Sequence, residues 1–260
     1  MKNLKIHLKN SLLFSFVAIF LFSCEKTPES DDIFTISPAL KEGWSLVSED
    51  KQEKDSAKLK ILREAKNGPL TISVTRGSVI DTPGVEAIAN AANAEMTGGK
   101  AIDGVILKFA HLGEKDGHKG YTKGPIVDQS QAYMTAKGLE SVPEGYAFSV
   151  KAGNYFDTIG VKYIIQVNGT QVKDNQKEYD SFYNAMLAAN EAGATSIGIP
   201  GISTGLFGYP KMDAAKLFIK AALSFFNKFP DANLKHIRFI DLDQPMVDDV
   251  VSVLDSTLQK

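Results

Sequence analysis

Two glycine-bearing stretches hold the residues of this 260-residue chain best suited to chemistry. "GISTGLFGYP", Gly201 to Pro210, lies between an apolar run and the helical pattern "KMDAAKLFIKAALSFF". Glycine lets a ligand approach the backbone closely, and the free N–H groups at a helix start attract anions. The stretch therefore raises the question of a bound phosphate, with Ser203, Thr204, Gly205, Leu206, Phe207 and Gly208 as the candidate contacts, which one loop alone does not answer. The second stretch, "VEAIANAANAEMTGGKAIDG", runs as a strand into Asn90, turns after Asn93 through Gly98 and Gly99, and enters a helix at Asp103. Asn93 combines a donor and an acceptor in one side chain, and Asp103 supplies a carboxylate.

Each residue also has a simpler reading. Asp103 alone would cap a helix beginning at Gly104, and Asn93 alone would form an Asx turn. Ser203 and Thr204 have no histidine neighbour that would make either a nucleophile. Phe207 could be ordinary core. His111 and His118 lack a second histidine at metal spacing, so they read as loop residues and no metal site is expected.

These stretches need a frame. "LTISVT", "VEAIAN", "YAFSVKA", "KYIIQV", "SIGIPG" and "HIRFIDL" are short and rich in β-branched and aromatic residues, which predicts strands. "DGVILKFA", "KEYDSFYNAMLAANEAG", "KMDAAKLFIKAALSFF" and "QPMVDDVVSVLDSTL" predict helices. Alternation of the two predicts an α/β fold whose sheet is covered on both faces. Ligands in such folds gather beyond the carboxyl ends of strands, where both glycine stretches lie. His111 to Ser141 has five glycines, four lysines and no clear period, and reads as an inserted loop. Residues 33–69 give conflicting signals, since "KLKIL" alternates like a strand amid helix-favouring Lys, Glu and Ala.

The first 23 residues read as an export signal. Lys2, Lys5 and Lys9 precede the apolar run Ser11 to Phe22, which ends in "LFSC" at the only cysteine, Cys24. The pattern is similar to a bacterial lipoprotein signal, with Cys24 lipidated and residues 24–32 an acidic tether. Plain secretion or a membrane anchor are the alternatives. Cleavage would remove three lysines and no acid, taking the formal charge from −2 to −5. No basic stripe marks a nucleic-acid partner. The expected location is the bacterial cell envelope, at a membrane reached through the lipid, on a face the sequence leaves open.

From about Leu70 to the C-terminus the chain resembles the macro domains, which bind ADP-ribose. The resemblance rests on "NAAN" (Asn90 to Asn93), on Asp103 ten residues after its second asparagine, and on "PGISTGLFGYP" (Pro200 to Pro210). It implies a three-layer α/β/α sandwich with a mixed central sheet, in which the two glycine loops enclose a diphosphate and Phe207 packs against a ribose. In the MacroD-type hydrolases within the family, Asn93 would orient the distal ribose. Asp103 would then act as general base or water-orienting group in cleaving an ADP-ribosyl ester, with neither metal nor cofactor. Three departures bear on the ligand. Gly77, Ser78 and Val79 stand where relatives usually have Gly-Asp-Ile, so the adenine amino group loses a carboxylate partner, with Asp81 nearby. Lys100 and Ala101 interrupt the glycine run, and Gln166 stands where many relatives have histidine. The expected function is ADP-ribose binding with hydrolysis of ADP-ribosyl esters, on protein carboxylates or on O-acyl-ADP-ribose. The alternative is a non-catalytic module for ADP-ribose or a related nucleotide.

Overall fold

The computed structural model describes residues 32–47, 60–81, 84–115 and 120–259. The signal segment, Cys24 and His118 lie outside them. Five strands, β3 (Leu70–Arg76), β8 (His236–Asp241), β7 (Ser196–Ile199), β4 (Ala87–Ala92) and β6 (Tyr163–Asn168), are adjacent and parallel in that order. The antiparallel β2 (Lys60–Asn67) continues the sheet beside β3, and the short β1 (Ser45–Leu46) pairs outside it. At the other edge β5 (Ala147–Lys151) runs antiparallel to β6. The sheet of the described residues is therefore mixed.

Alternate residues of one strand feed two separate cores, as a sheet covered on both faces requires. Ala87 and Ala89 of β4, with Ile165 and Val167 of β6, pack towards α5 (Asn175–Glu191), α6 (Lys211–Lys228) and α7 (Gln244–Leu258). Ile88 and Ala92 of β4, with Ile164, face α2 (Ala101–Leu112), α3 (Pro125–Lys137) and α4 (Asn154–Asp157). Helix α5 begins where the Asp174 side chain accepts from the Lys177 N–H at 3.0 Å, a hydrogen-bonded cap. Burial of Phe182, Ala185, Met186 and Ala189 along one stripe then holds that helix on the sheet.

One ambiguity of the sequence is resolved and one expectation changes. The last three residues of "KLKIL", Lys60 to Leu62, open β2, because pairing of that strand with β3 on one side and β1 on the other outweighs the helical propensity of its neighbours. The stretch 111–141 is not simply a loop, since it contains α3. That helix starts at Pro125 and ends before Gly138, and it buries only Ile126, Val127, Ser130 and Met134. Its outer face carries enough polar residues to blur the helical period. A short helix, α1 (Pro38–Lys41), precedes β1, and Trp44 beside it packs on Phe226 of α6 with ring centroids 5.6 Å apart.

Candidate functional site

All five parallel strands end on one side of the sheet, and the segments that follow them enclose two adjoining cavities. The smaller, about 220 Å³, is lined by Asn93, Asp103, Gly169, Ser203, Leu206 and Phe207 among others. The larger, about 350 Å³, includes Ser78, Val79, Thr204, Asp241, Leu242 and Asp243 in its wall. Ala101, Ile102, Gly201 and Gly205 line both, so the two form one cleft.

Asp103 sits in the first turn of α2, on the cleft floor, only 4% exposed. Helix α2 begins at Ala101 rather than Gly104, and Lys100 occupies the cap position without a side-chain bond. The capping reading of Asp103 therefore fails, and its carboxylate is instead held from below. Asn90 Nδ2 donates to Asp103 Oδ1 at 2.8 Å and to Gln166 Oε1 at 2.7 Å. Gln166 Nε2 in turn donates to Ser130 Oγ at 2.9 Å, and Ser130 donates to the Ile126 carbonyl at 2.7 Å. A buried polar chain thus runs from α3, through β6 and β4, to Asp103. Burial pushes the Asp103 carboxyl up to about 6, and the Asn90 hydrogen bond pulls the other way.

Asn93 lines the cleft but also ties its own turn. Its Nδ2 donates to Thr97 Oγ1 at 3.1 Å and the Gly98 carbonyl at 3.3 Å, while Oδ1 accepts from the Thr97 N–H at 3.1 Å. These bonds reach four and five residues on rather than the two of an Asx turn, so Asn93 braces the loop to Gly98, and its carbonyl oxygen keeps a second lone pair for a ligand hydroxyl. On the opposite wall Phe207 is 43% exposed, which excludes the core reading. The non-glycine residues with left-handed backbones among those described are Met96, Ala101 and Ser203. All three belong to the segments around the cleft, where such strain commonly collects.

Three residues expected to contact the ligand line neither cavity. Asn90 is fully buried and reaches the site only through Asp103. Gly98 is buried beneath the next segment, where a Cβ would lie 2.2 Å from the Tyr121 carbonyl oxygen. Gly208 shapes the approach to α6 without lining either cavity, its N–H donating to the Gly205 carbonyl at 3.1 Å. Asp81, near the position where relatives carry an adenine-reading carboxylate, pairs with Lys115. His111 bonds to the Tyr121 hydroxyl at 2.5 Å, and no group of three metal-ligating side chains occurs among the described residues.

The structure adds residues that the motifs did not single out. Gly169 follows β6, and Asp241 and Asp243 lie at the end of β8. Asp241 Oδ2 accepts from the Gly201 N–H at 2.9 Å, which joins the glycine loop to β8. Burial raises the Asp241 carboxyl above its ordinary range. The rule that sites collect at strand carboxyl ends, applied to "FIDLD", would have found both aspartates.

The Macro domain family model matches residues 89–218, half of the chain. An uncharacterized protein of Thermotoga maritima is 32% identical over 165 residues, covering 62% of this chain but only 24% of its own length. A protein of Escherichia fergusonii named O-acetyl-ADP-ribose deacetylase is 28% identical over 179 residues, 66% of this chain and 89% of that one. Among solved structures, an Oceanobacillus iheyensis macrodomain mutant with ADPR superposes with a TM-score of 0.62 at 19% identity, covering 76% of this chain and 98% of that chain. With strands, glycine loops and cleft arranged as described, this chain belongs to the macro domain family.

Proposed function

We propose that this protein binds ADP-ribose and hydrolyses ADP-ribosyl esters, on protein carboxylates or as O-acyl-ADP-ribose. The observation that carries the reading is the buried Asp103 carboxylate, held by Asn90 on the floor of a cleft walled by the Gly201–Phe207 loop. The two adjoining cavities suit a ligand with two ends. The adenosine end takes the larger, beside Ser78 and Asp241, and the distal ribose takes the smaller, beside Asn93 and Phe207. The diphosphate then crosses at Gly205, which lines both. The relative named as a deacetylase and the solved neighbour holding ADPR support the same ligand.

In this reading ionised Asp103 accepts a proton from a water molecule as the water oxygen attacks at or near the anomeric carbon. The ester C–O bond breaks, and the carboxylate leaves with its electron pair. A carboxyl poised at about 6 is largely ionised at neutral pH yet more basic than an ordinary aspartate, which suits a general base. Asn93 and Phe207 set the ribose in place; neither moves a proton.

The test is incubation with a glutamate-ADP-ribosylated protein and with O-acetyl-ADP-ribose, scored for release, beside calorimetric titration with ADP-ribose. Release of ADP-ribose from either ester, lost in Asp103→Ala, is the expected result. Binding without release would leave a non-catalytic module, and neither binding nor release would overturn the reading.

A further inference from the structure

Beneath the loop that walls the cleft lies a second buried carboxyl with no part in the chemistry above. Glu178, in the first turn of α5, is fully buried, and neither carboxyl oxygen reaches a partner in hydrogen-bond geometry. Two polar groups face it, the Ser203 hydroxyl and the Thr170 backbone N–H. The Ser203 hydroxyl is likewise buried without a bonded partner, although Ser203 itself lines the cleft. Its backbone is left-handed, φ 58°, an arrangement that persists in a non-glycine residue only where its surroundings hold it.

What surrounds Ser203 is tight. A Cβ on Gly169 would lie 2.3 Å from Ser203 Oγ and 2.7 Å from Ile202 Cγ2, so only glycine lets the β6–α5 connection pass there. The Ser203 carbonyl accepts from the Tyr209 N–H at 3.0 Å, and the Tyr209 hydroxyl donates to Asn175 Oδ1 at 2.7 Å. Glu178 therefore stands where the start of α5, the segment after β6 and the glycine loop after β7 converge.

The charge state of that carboxyl matters because the site in front of it is meant for an anion. A carboxylate left unpaired in the interior is costly, whereas a protonated carboxyl can donate to Ser203 Oγ and accept from the Thr170 N–H. We infer that Glu178 is a positioning residue which, in its protonated form, joins Ser203 to Thr170 and so holds the cleft loop in the shape that receives a diphosphate. The inference rests on the reading of the cleft as an ADP-ribose site. Its consequence is a built-in pH dependence: ionisation of Glu178 breaks the clamp and sets a negative charge behind the diphosphate.

The remaining charged and titratable neighbours do not supply an alternative switch. Tyr209 is the titratable group of the glycine loop nearest this cluster in sequence, and burial raises its hydroxyl with Glu178, Asp213 and Asp174 adding to the effect. On α5 itself Lys177 is engaged by Glu144 at 2.8 Å. Asp213 of α6 is paired with Lys173 at 2.8 Å. Burial pushes the Glu178 carboxyl up to about 8, with Ser203 and Thr170 opposing, and no cation contributes. One pH unit above that midpoint the binding-competent share falls to about a tenth, so the apparent Kd rises about tenfold.

Calorimetric titration of wild-type protein and Glu178→Gln with ADP-ribose between about pH 6.5 and about 9.5 tests this, because the diphosphate holds its charge over that range. Wild-type affinity should fall about tenfold per pH unit above the Glu178 midpoint, and the Gln variant should give a flat profile. Glu178→Leu should bind more weakly than the Gln variant at every pH, since it can neither donate nor accept, and its profile should likewise be flat because it carries no titrating group. In the ligand-free protein the Glu178 carboxyl carbon, followed by NMR, should titrate near 8 rather than near the ordinary 4.5. Parallel pH profiles in wild type and Gln variant, or an ordinary carboxyl titration, would overturn the inference. Absence of ADP-ribose binding at any pH would overturn the functional reading instead, and with it the ligand half of this one.

Discussion

Asn90 holds Asp103 from behind the cleft wall, donating to its Oδ1 at 2.8 Å while fully buried itself. That geometry assigns the asparagine a task distinct from binding. It stabilises the charged form of a carboxyl that burial alone would keep protonated further up the pH scale. A base must be ionised to work, so turnover should rise with pH through a midpoint near 6 and then level off. In Asn90→Ala the midpoint should move upward, because the bond that lowers it is gone. Unpartnered Gln166 and Asp103 oxygens should also cost about 1–3 kcal/mol of stability. A pH–rate profile on both proteins decides it, and an unmoved midpoint would show that Asn90 does not tune the base.

How much of this was visible in the residues alone differs from place to place. The glycine loop announced itself because it lies between an apolar strand and a helix, a local pattern, and a sheet covered on both faces follows from alternating elements of two periods. The role of Asn90 was not visible. Nothing in "AIANAAN" says which asparagine faces the cleft and which faces Gln166 on β6, because that depends on the register between β4 and β6. Helix α3 was hidden for a related reason: it buries one narrow stripe, so its apolar residues are too few to show a period. Nothing in "NQKEYD" marks Glu178 apart from the other charges of α5, and its full burial beside Ser203 exists only in the folded chain.

A sealed carboxyl has a second signature, in stability. Glu178 binds its proton more tightly when folded than when unfolded, so between about 4.5 and about 8 the folded state carries the extra proton. Stability from this group is therefore complete below the unfolded value and is lost as pH rises through the folded one. The difference in Tm between Glu178→Gln and wild type should grow in favour of the variant across that window and level off above it. Thermal melts at a series of pH values check this; a difference that stays constant with pH would mean that Glu178 titrates normally.

Gly205 offers a cleaner probe of the cleft than any polar residue. It lines both cavities, yet a Cβ built there meets nothing within 4 Å. Gly205→Val should therefore fold with wild-type stability while its side chain occupies the crossing between the two cavities. Binding of ADP-ribose should drop by at least about tenfold, equivalent to about 1.4 kcal/mol. Retained affinity in a folded Val variant would move the diphosphate away from the glycine loop.

Cys24 lies outside the described residues, and we propose it as a lipidation site on the sequence pattern alone. Cys24→Ala should release the protein from the membrane fraction or block its processing. Detergent-dependent membrane association that survives the substitution would remove the lipid anchor from the account.

Asp103 separates an enzyme from a binding module. Because its carboxylate caps no helix, its replacement by asparagine should leave α2 undisturbed, and the amide oxygen can still accept from Asn90 Nδ2. What the variant lacks is a group able to take a proton from water. Loss of a general base typically lowers turnover about 10²–10⁴-fold, and an interaction made only in the transition state lowers kcat and kcat/KM together. Asp103→Asn should therefore melt close to wild type, bind ADP-ribose with similar affinity and hydrolyse its esters slowly. Asn93→Ala should contrast with it, weakening binding as well, since Asn93 both lines the cleft and fixes the turn to Gly98. The ligand-binding loss in one variant and the turnover loss in the other can be read from the same pair of assays. Wild-type turnover in Asp103→Asn would remove Asp103 from the chemistry and leave its burial beside the ribose cavity as packing.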